Sequence, residues 1–517
     1  MITVKILENE HWWGFNALHA PMQPFDQFTS YEGNLLRDGG NQSAPILLSD
    51  QGRYIWLADA YLLSIADGAI RFEQTDGYEI YEGGCCLRDA YLAASAKHFP
   101  FSGKVPPLKF FETAQYNTWM EFTYNPTQKS VLSYAHAIVD NGYAPGILII
   151  DEGWHTRYGL WEFDFAKFPD PKAMIDELHA LGFTVMLWVV PIVTADGRGF
   201  LGIEGAAKFL KSRWKESPLL KTDDGKIALI HWWNGYSAVL NPCVSSSREY
   251  LGERLDFLMR EYGVDGFKFD GGSLDMYNPS NVVNGAQTKY TAQQLNIAWN
   301  EFGEQYEFHE YKDTYRRGGA AVIQRIRDRG HRWDGDGLCT LLPFAFVEGL
   351  MGYPFLCPDM IGGGEWSYTE LCKSWDEELV VRMAECSALF PMMQFSLAPW
   401  RILNAENANF CLNAAKLHAA FAPYIVRQVQ NSAKTGEPIL RPLEYDFPNE
   451  GFASVKDAFM LGDELLVAPV IEQGATTKTL RLPKGKWLYR GEIEYEGGQE
   501  VGVCAPLGTL AYFKRVK

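Results

Sequence analysis

The chain carries no cationic stripe. Lys and Arg number 47 against 64 Asp and Glu, a formal charge of −17 over 517 residues, so it offers no footprint for nucleic acid or an anionic lipid surface. Paired cysteines are missing as well. The nine present show no C-x-x-C and no metal-ligand spacing, and Cys85 and Cys86 are adjacent, which suits buried free thiols in a reducing compartment better than a disulfide framework. The ten histidines include neither H-x-H nor H-E-x-x-H, so a metal-dependent barrel hydrolase lacks its ligands and no metal or cofactor is expected. No apolar stretch reaches membrane-spanning length free of charge, and the opening "MITVKILENEHWWGF" has no apolar signal core. A cytoplasmic protein without nucleic-acid or membrane partners is the expectation. Internal repeats, low-complexity tracts and heptads are also lacking.

What is present is a large apolar complement, 47% of residues, enough to bury the cores of two or three domains. Aromatics make up 14%, with 16 Trp, many beside glycines or acids. Such a set suits stacking on sugars, and equally suits aromatic cores. Residues 1–105 read as short alternating runs broken by Gly, Asp and Asn, an N-terminal β-sandwich-like domain. "SGKVPPLKFF" forms a junction, after which apolar strands alternate with amphipathic helices over residues 106–422. Strands are expected at Tyr116–Phe122, Gly146–Asp151, Thr184–Pro191, Val264–Asp270, Tyr306–Tyr311, Ala321–Arg327, Tyr353–Asp359 and Ala388–Phe395. Eight of them, with no glycine-rich phosphate loop after the first, fit a (β/α)8 TIM barrel better than a doubly wound sheet. A Trp- and Gly-rich insertion near 194–240 is read as a loop subdomain over the barrel mouth, and residues 423–517 as a C-terminal β-domain.

"YGVDGFKFDGGS" ends a core strand on Asp270, followed by two glycines that would let a ligand approach. A carboxylate there can also cap the next helix. Asp151 and Asp359 end strands in the same way, at the face where such barrels build their sites. "RWDGDG" places Asp334 and Asp336 on a turn beside Trp333. A loop carboxylate near an indole and a neighbouring anion has its pKa raised, as a general acid requires, although an ordinary turn uses the same residues. Trp12 and Trp13 could form a sugar platform or pack domains together.

Taken in order, "IIDEGW", "GVDGFKFDGG", "RWDGDG", "PDMIGGGEW", "FPMMQFSLAPWR" and "LLVAPV" give the chain from about Trp119 to Trp487 a close resemblance to the glycoside hydrolase family 31 α-glycosidases. The resemblance implies that Asp270 is the nucleophile and that Asp336, rather than Asp334, is the general acid/base. It implies that Asp151 binds hydroxyls of the terminal sugar and that Trp188 walls the subsite. Lys268, Trp333, Asp359 and Gln394 complete the expected site, with Arg327 as the sugar-binding arginine and Arg325 as its competitor. Lys268, one strand period before Asp270, should hold that acid ionised, and the Asp270 anion should keep Asp336 protonated. The implied reaction is double displacement on a terminal α-linked hexose, with the two carboxyls about 5 to 5.5 Å apart. Glucose-specific relatives carry Arg-x-His after the eighth strand, whereas this chain reads Gln394, Phe395, Ser396. Together with "PDMIGGG", this resembles the branch that includes α-galactosidases and the mammalian myogenesis-regulating glycosidase. An α-galactosidase acting on an oligosaccharide or other α-glycoside is therefore expected. An α-glucosidase, an α-xylosidase and a catalytically silent sugar-binding homologue are the alternatives.

Overall fold

The computed structural model describes every residue except 39, 60–61, 74–76, 195–215, 283–287, 366, 368–373 and 517. Eight strand positions form the middle domain: Gln115–Asn117, Ile147–Ile150, Thr184–Val189, Gly266–Phe269, Phe308–Tyr311, Ile323–Arg325, the pair Leu356–Cys357 and Met360–Ile361, and Gln394–Phe395. The second to fourth strands are buried along their whole length, as parallel strands covered by helices must be. Neighbours pair in parallel in chain order, and the eighth returns to the first. The ring closes through a split seventh strand. Leu356–Cys357 pairs with the sixth and Met360–Ile361 with the eighth. Asp359 occupies the break at a φ of 66°, a left-handed conformation that a non-glycine residue adopts only when held.

All eight expected strands are present, and most are shorter than their apolar runs. The run from Tyr116 stops at Asn117 because Trp119–Phe122 turns helical. The run from Ala388 yields only Gln394–Phe395, because the preceding helix continues to Ser387 and Pro391 intervenes. The intervening helices carry their own start and stop signals. Thr127 and Ser130 form a capping box on Gln128–Asp140, Asp170 caps Pro171–Ala180, and Gly263 ends Ser245–Tyr262 in a left-handed turn.

The N-terminal residues form two four-stranded antiparallel sheets. Trp12 and Trp13 lie in one of them, 0% and 3% exposed. Trp12 lies under the Arg53 guanidinium at 5.2 Å, and Trp13 joins the apolar core shared with the barrel helix Leu341–Leu350. They pack domains together and form no sugar platform. The boundary expected after residue 422 falls inside the helix Ala405–Thr435, which has Pro423 in its interior. Beyond it lies a six-stranded antiparallel sheet that starts at Leu440. At the expected insertion, Leu229–Trp232 and Gly235–Val239 make a small antiparallel sheet with Ile192–Thr194, which leads into it, and residues 195–215 lie outside the described residues. Among the described residues all cysteines are free, and no helix is long and apolar enough to cross a membrane.

Candidate active site

The C-terminal ends of the barrel strands surround a cavity of ≈ 180 Å³ whose walls carry five carboxylates, Asp151, Glu152, Asp270, Asp328 and Glu365, and three cations, Lys268, Lys312 and Arg325. Trp119, Tyr124, Trp188 and Trp233 supply aromatic faces. Charge of both signs around a small aromatic-walled space suits a neutral ligand rich in hydroxyls, which both donates and accepts hydrogen bonds.

Asp270 follows the fourth strand, and the ladder places it: its N–H donates to the Val189 carbonyl at 2.8 Å. The carboxylate is held on both oxygens. Trp188 Nε1 donates to Oδ2 at 2.9 Å and the Gly271 N–H to Oδ1 at 2.8 Å. Burial opposes ionisation, but Lys312 first and then Lys268 and Arg325 outweigh it, so the carboxyl lies below the usual carboxylate range while the Asp328 charge pulls the other way. An ionised, oriented carboxylate in a narrow cavity has the state a nucleophile requires.

Lys268 faces the same cavity, yet its ammonium bonds Asp151 Oδ2 at 2.7 Å rather than Asp270, and both side chains are 3% exposed. Asn117 Nδ2 donates to the same oxygen at 2.8 Å. On Asp270, Lys268 acts through space and favours the ionised form as expected, beside the larger effect of Lys312. Removing one member of such a buried pair costs about 3–5 kcal/mol. Next to it, burial raises the Glu152 carboxyl to about 8, reinforced by Asp151 and Asp270. Tyr158 donates to Glu152, and Asn234 at the tip of the insertion hairpin donates to the Tyr158 hydroxyl at 2.8 Å.

The sixth strand ends on Arg325, 1% exposed, whose Nη1 lies 2.8 Å from Asp328 Oδ1 and 2.6 Å from Asp359 Oδ1. The Arg329 N–H donates to Asp359 Oδ2 at 2.9 Å. These contacts hold the left-handed Asp359, which braces Arg325 and does not itself line the cavity. Lys312, just beyond the fifth strand, reaches Asp328 Oδ2 at 2.5 Å. Burial works against an anion at Asp328, but Arg325 and Lys312 overcome it and hold the carboxyl well below the usual range. Gly364 closes this side. A Cβ there would lie 2.7 Å from both Asp328 and Asp359 carboxylate oxygens, so only glycine lets the loop approach so closely.

The sequence model described as the glycosyl hydrolases family 31 TIM-barrel domain matches residues 104–428, and that of the family's C-terminal domain matches residues 436–516. The chain belongs to glycoside hydrolase family 31. Mouse myogenesis-regulating glycosidase is 32% identical over 414 residues, 77% of this chain and 55% of that protein. A 1,3-alpha-isomaltosidase of Kribbella flavida is 27% identical over 398 residues, 72% of this chain and 50% of that protein. The chain thus spans about half the length of these curated relatives. A Flavobacterium johnsoniae family 31 dextranase, solved with glucose, superposes with a TM-score of 0.80 at 19% identity, covering 99% of this chain and 66% of that one, and shows the same fold.

Set beside the family 31 motifs, the structure brings Asp151, Trp188, Lys268 and Asp270 together at the cavity and leaves other expected residues outside it. Asp336 does not line the cavity: its carboxylate, 39% exposed, lies 3.2 Å from Arg332 Nε on the loop. Asp328 occupies the cavity instead. Trp333 is turned away, its Nε1 donating at 2.9 Å to Asp376, the N-cap of the helix Glu377–Ser387. Of the two arginines, Arg325 lines the cavity and Arg327 does not, because the strand ends at residue 325. Gln394 is fully buried behind the site, its Nε2 3.4 Å from Glu310 Oε2. Nor do Gly271 and Gly272 make room for a ligand. A Cβ on Gly271 would meet Val190 at 2.8 Å and one on Gly272 would meet Trp299 at 2.6 Å, and both have positive φ, so they serve the turn and its packing. Sequence reasoning missed Glu152, Lys312 and Asp328. Each had a legible signal, standing immediately after an expected strand end.

Proposed function

We propose that the protein is a retaining, exo-acting α-glycosidase that releases a terminal α-linked hexose, with Asp270 as nucleophile and Asp336, the acid of the family's Trp-x-Gly-Asp turn, as general acid/base. The observation that carries this reading is Asp270, ionised and held on both oxygens at a strand end inside one small cavity; Asp336 stands on the loop that follows the sixth strand. In the first step an Asp270 oxygen bonds to the anomeric carbon as the glycosidic C–O bond breaks, and the Asp336 proton passes to the departing oxygen. In the second, water attacks the anomeric carbon, Asp336 takes its proton, and the bond to Asp270 breaks. Two inversions give net retention. A cavity of ≈ 180 Å³, below the roughly 300–1,000 Å³ of pockets for larger ligands, supports one sugar ring at a chain end.

Galactose is the proposed ring. At the eighth strand, where glucose-specific relatives place Arg-x-His, Gln394 is turned to Glu310 and Ser396 Oγ accepts the Met120 N–H. The ring's outer hydroxyls are then left to Asp151, Glu152 and the hairpin Trp233. The test follows aryl α-galactoside and aryl α-glucoside hydrolysis by proton NMR. The expected first-formed sugar is the α-anomer, with galactoside preferred. A β-anomer would overturn retention, a glucoside preference would overturn the choice of sugar alone, and binding of both without turnover would make the protein a silent sugar binder.

A further inference from the structure

The cavity contains two Lys–Asp pairs where the family motifs give a role to one. Lys268 and Asp151 meet at 2.7 Å, from the fourth and second strands. Lys312 and Asp328 meet at 2.5 Å beyond the fifth and sixth, and both line the cavity. Arg325 Nη1 takes the other Asp328 oxygen at 2.8 Å. Neither the nucleophile nor the general acid belongs to the second pair, so double displacement alone does not call for it. Domain packing does not call for it either. The N-terminal domain grips Lys312 by its carbonyl, which accepts from Gln42 Nε2 at 2.9 Å and Asn41 Nδ2 at 3.3 Å, and the ammonium is left to the cavity.

What the pair offers is unspent hydrogen bonding. A carboxylate accepts at about four positions and an ammonium donates three hydrogens. Asp328 spends two on Lys312 and Arg325, and the Lys312 ammonium spends one on Asp328, with no other partner for either side chain among the described residues. Held as an anion by the two cations, Asp328 is a fixed acceptor, and a hydroxyl bonds an ionised acceptor more strongly than a neutral one. A sugar hydroxyl both donates and accepts, which complements a carboxylate and an ammonium side by side. The ladder says which hydroxyl. Phe269 is opposite Tyr311, so the next residues, Asp270 and Lys312, leave their strands side by side, and the Lys312 N–H donates to the Phe269 carbonyl at 3.4 Å. The pair therefore stands beside the carbon that Asp270 attacks, and the hydroxyl next to that carbon is the 2-hydroxyl.

We propose, on the reading of Asp270 as nucleophile, that Asp328 and Lys312 together bind the 2-hydroxyl of the terminal sugar, Asp328 accepting its hydrogen and Lys312 donating to its oxygen. Hydrogen bonds to this hydroxyl strengthen in the transition state of glycoside hydrolysis, so the pair acts on rate as well as on binding. Galactose and glucose present the 2-hydroxyl in the same orientation, and the pair serves either ring. The substrate class narrows to hexosides whose 2-hydroxyl is free.

The test compares 4-nitrophenyl α-galactoside with its 2-deoxy and 4-deoxy counterparts, or the matching α-glucosides if glucoside is preferred, on wild type and on Asp328→Asn. Dividing the variant's rate by the wild type's for each substrate cancels the deoxy sugar's own reactivity. For the parent, kcat/KM should fall about ten-fold, the worth of a hydrogen bond to a charged group. The 2-deoxy substrate should change by less than about three-fold, and the 4-deoxy substrate should fall with the parent. Lys312→Met should show the same pattern. A folded Asp328→Asn enzyme that loses equally on the parent and the 2-deoxy substrate overturns the proposal, because a merely structural pair has no preference among hydroxyls. Should both variants fail to fold, calorimetric titration of the wild type decides. Binding of 2-deoxygalactose is expected at least about ten-fold weaker than that of galactose, and equal affinities overturn the proposal. The same titration keeps the two readings apart. Binding that depends on the 2-hydroxyl, without turnover of any α-glycoside, fells the glycosidase reading and keeps the pair. Turnover without that dependence fells the pair and keeps the glycosidase.

Discussion

Two acid-bearing turns, "KFDGG" at residues 268–272 and "RWDGDG" at residues 332–337, look alike as strings: an aromatic, an aspartate and glycines after an apolar run. They end in different places. Asp270 is one residue past a strand whose register is set on both sides, Lys268 opposite Trp188 and Glu310, so its carboxylate has nowhere to go but the barrel mouth. Asp336 lies well beyond the strand that ends at Arg325, on a loop bent by its own contacts: the Gly337 N–H donates to the Asp334 carbonyl and the Trp333 indole to Asp376. Asp328, three residues after Arg325 and ion-paired back to it, stays within reach of the ladder. Proximity to a strand end decides delivery, because the sheet fixes the first few residues beyond it and the loop's own length fixes the rest.

The strongest way to break this comparison is to remove the carboxylates that the two turns carry. Asp270→Ala should lower kcat/KM by about 10,000-fold or more for every substrate, since nothing else in the cavity is positioned to form the glycosyl bond. Asp336→Ala should cost roughly 100- to 10,000-fold with poor leaving groups, far less with activated aryl glycosides, and azide should restore turnover of the activated substrates with retained configuration. Equal losses across leaving groups, without rescue, would leave Asp336 a structural residue of its loop.

A smaller effect sharpens the contrast inside the cavity, where Asp151 is paired with Lys268 while its neighbour Glu152 has no cation at hand. Burial raises Glu152 from 4.5 to about 8. The folded state therefore keeps a proton that the unfolded chain loses above about pH 4.5. The stabilisation this gives is present below that pH and is lost as pH rises toward 8. Glu152→Gln should flatten the fall in stability between about pH 5 and 8 by about 1.4 kcal/mol or more, one pKa unit's worth, read by thermal unfolding across that range. An unchanged slope would show that Glu152 titrates normally.

The difference between turns also explains what was legible. All eight barrel strands could be placed because each is an apolar run bounded by turn residues, and strand-end acids followed from those boundaries. Asp151 and Asp270 needed nothing more. Asp328 stands immediately after the expected strand Ala321–Arg327 but went unnoticed, because that segment was read by its tryptophan and glycine instead of by distance from the strand. Lys312 follows a strand of mixed polarity, Phe308–Tyr311, whose end was placed correctly, but only acids and arginines at strand ends were taken up as site residues. Gln394 was expected at the site and lies behind it, since strand alternation turns it toward Glu310. The split seventh strand had no sequence signal beyond Pro358, and its left-handed Asp359 depends on Arg325 and Arg329 from another segment, contacts that no local pattern encodes.

The smallest predicted effect is the most discriminating. Asp336 pairs with Arg332 on the surface, the two side chains 39% and 48% exposed, and such pairs contribute about 0–1 kcal/mol. Asp336→Asn keeps the side chain's shape and should leave stability within about 0.5 kcal/mol of wild type while lowering kcat/KM for poor leaving groups, measured beside Asp328→Asn in the same assay. If Asp336→Asn costs about 100-fold while Asp328→Asn is mild, the loop folds over the cavity when sugar binds, and the motif names the acid that the free structure holds outside. Because Trp333 ties that loop to Asp376, such closure would break the indole hydrogen bond. A sugar-induced change in tryptophan fluorescence that Trp333→Phe abolishes would then accompany it.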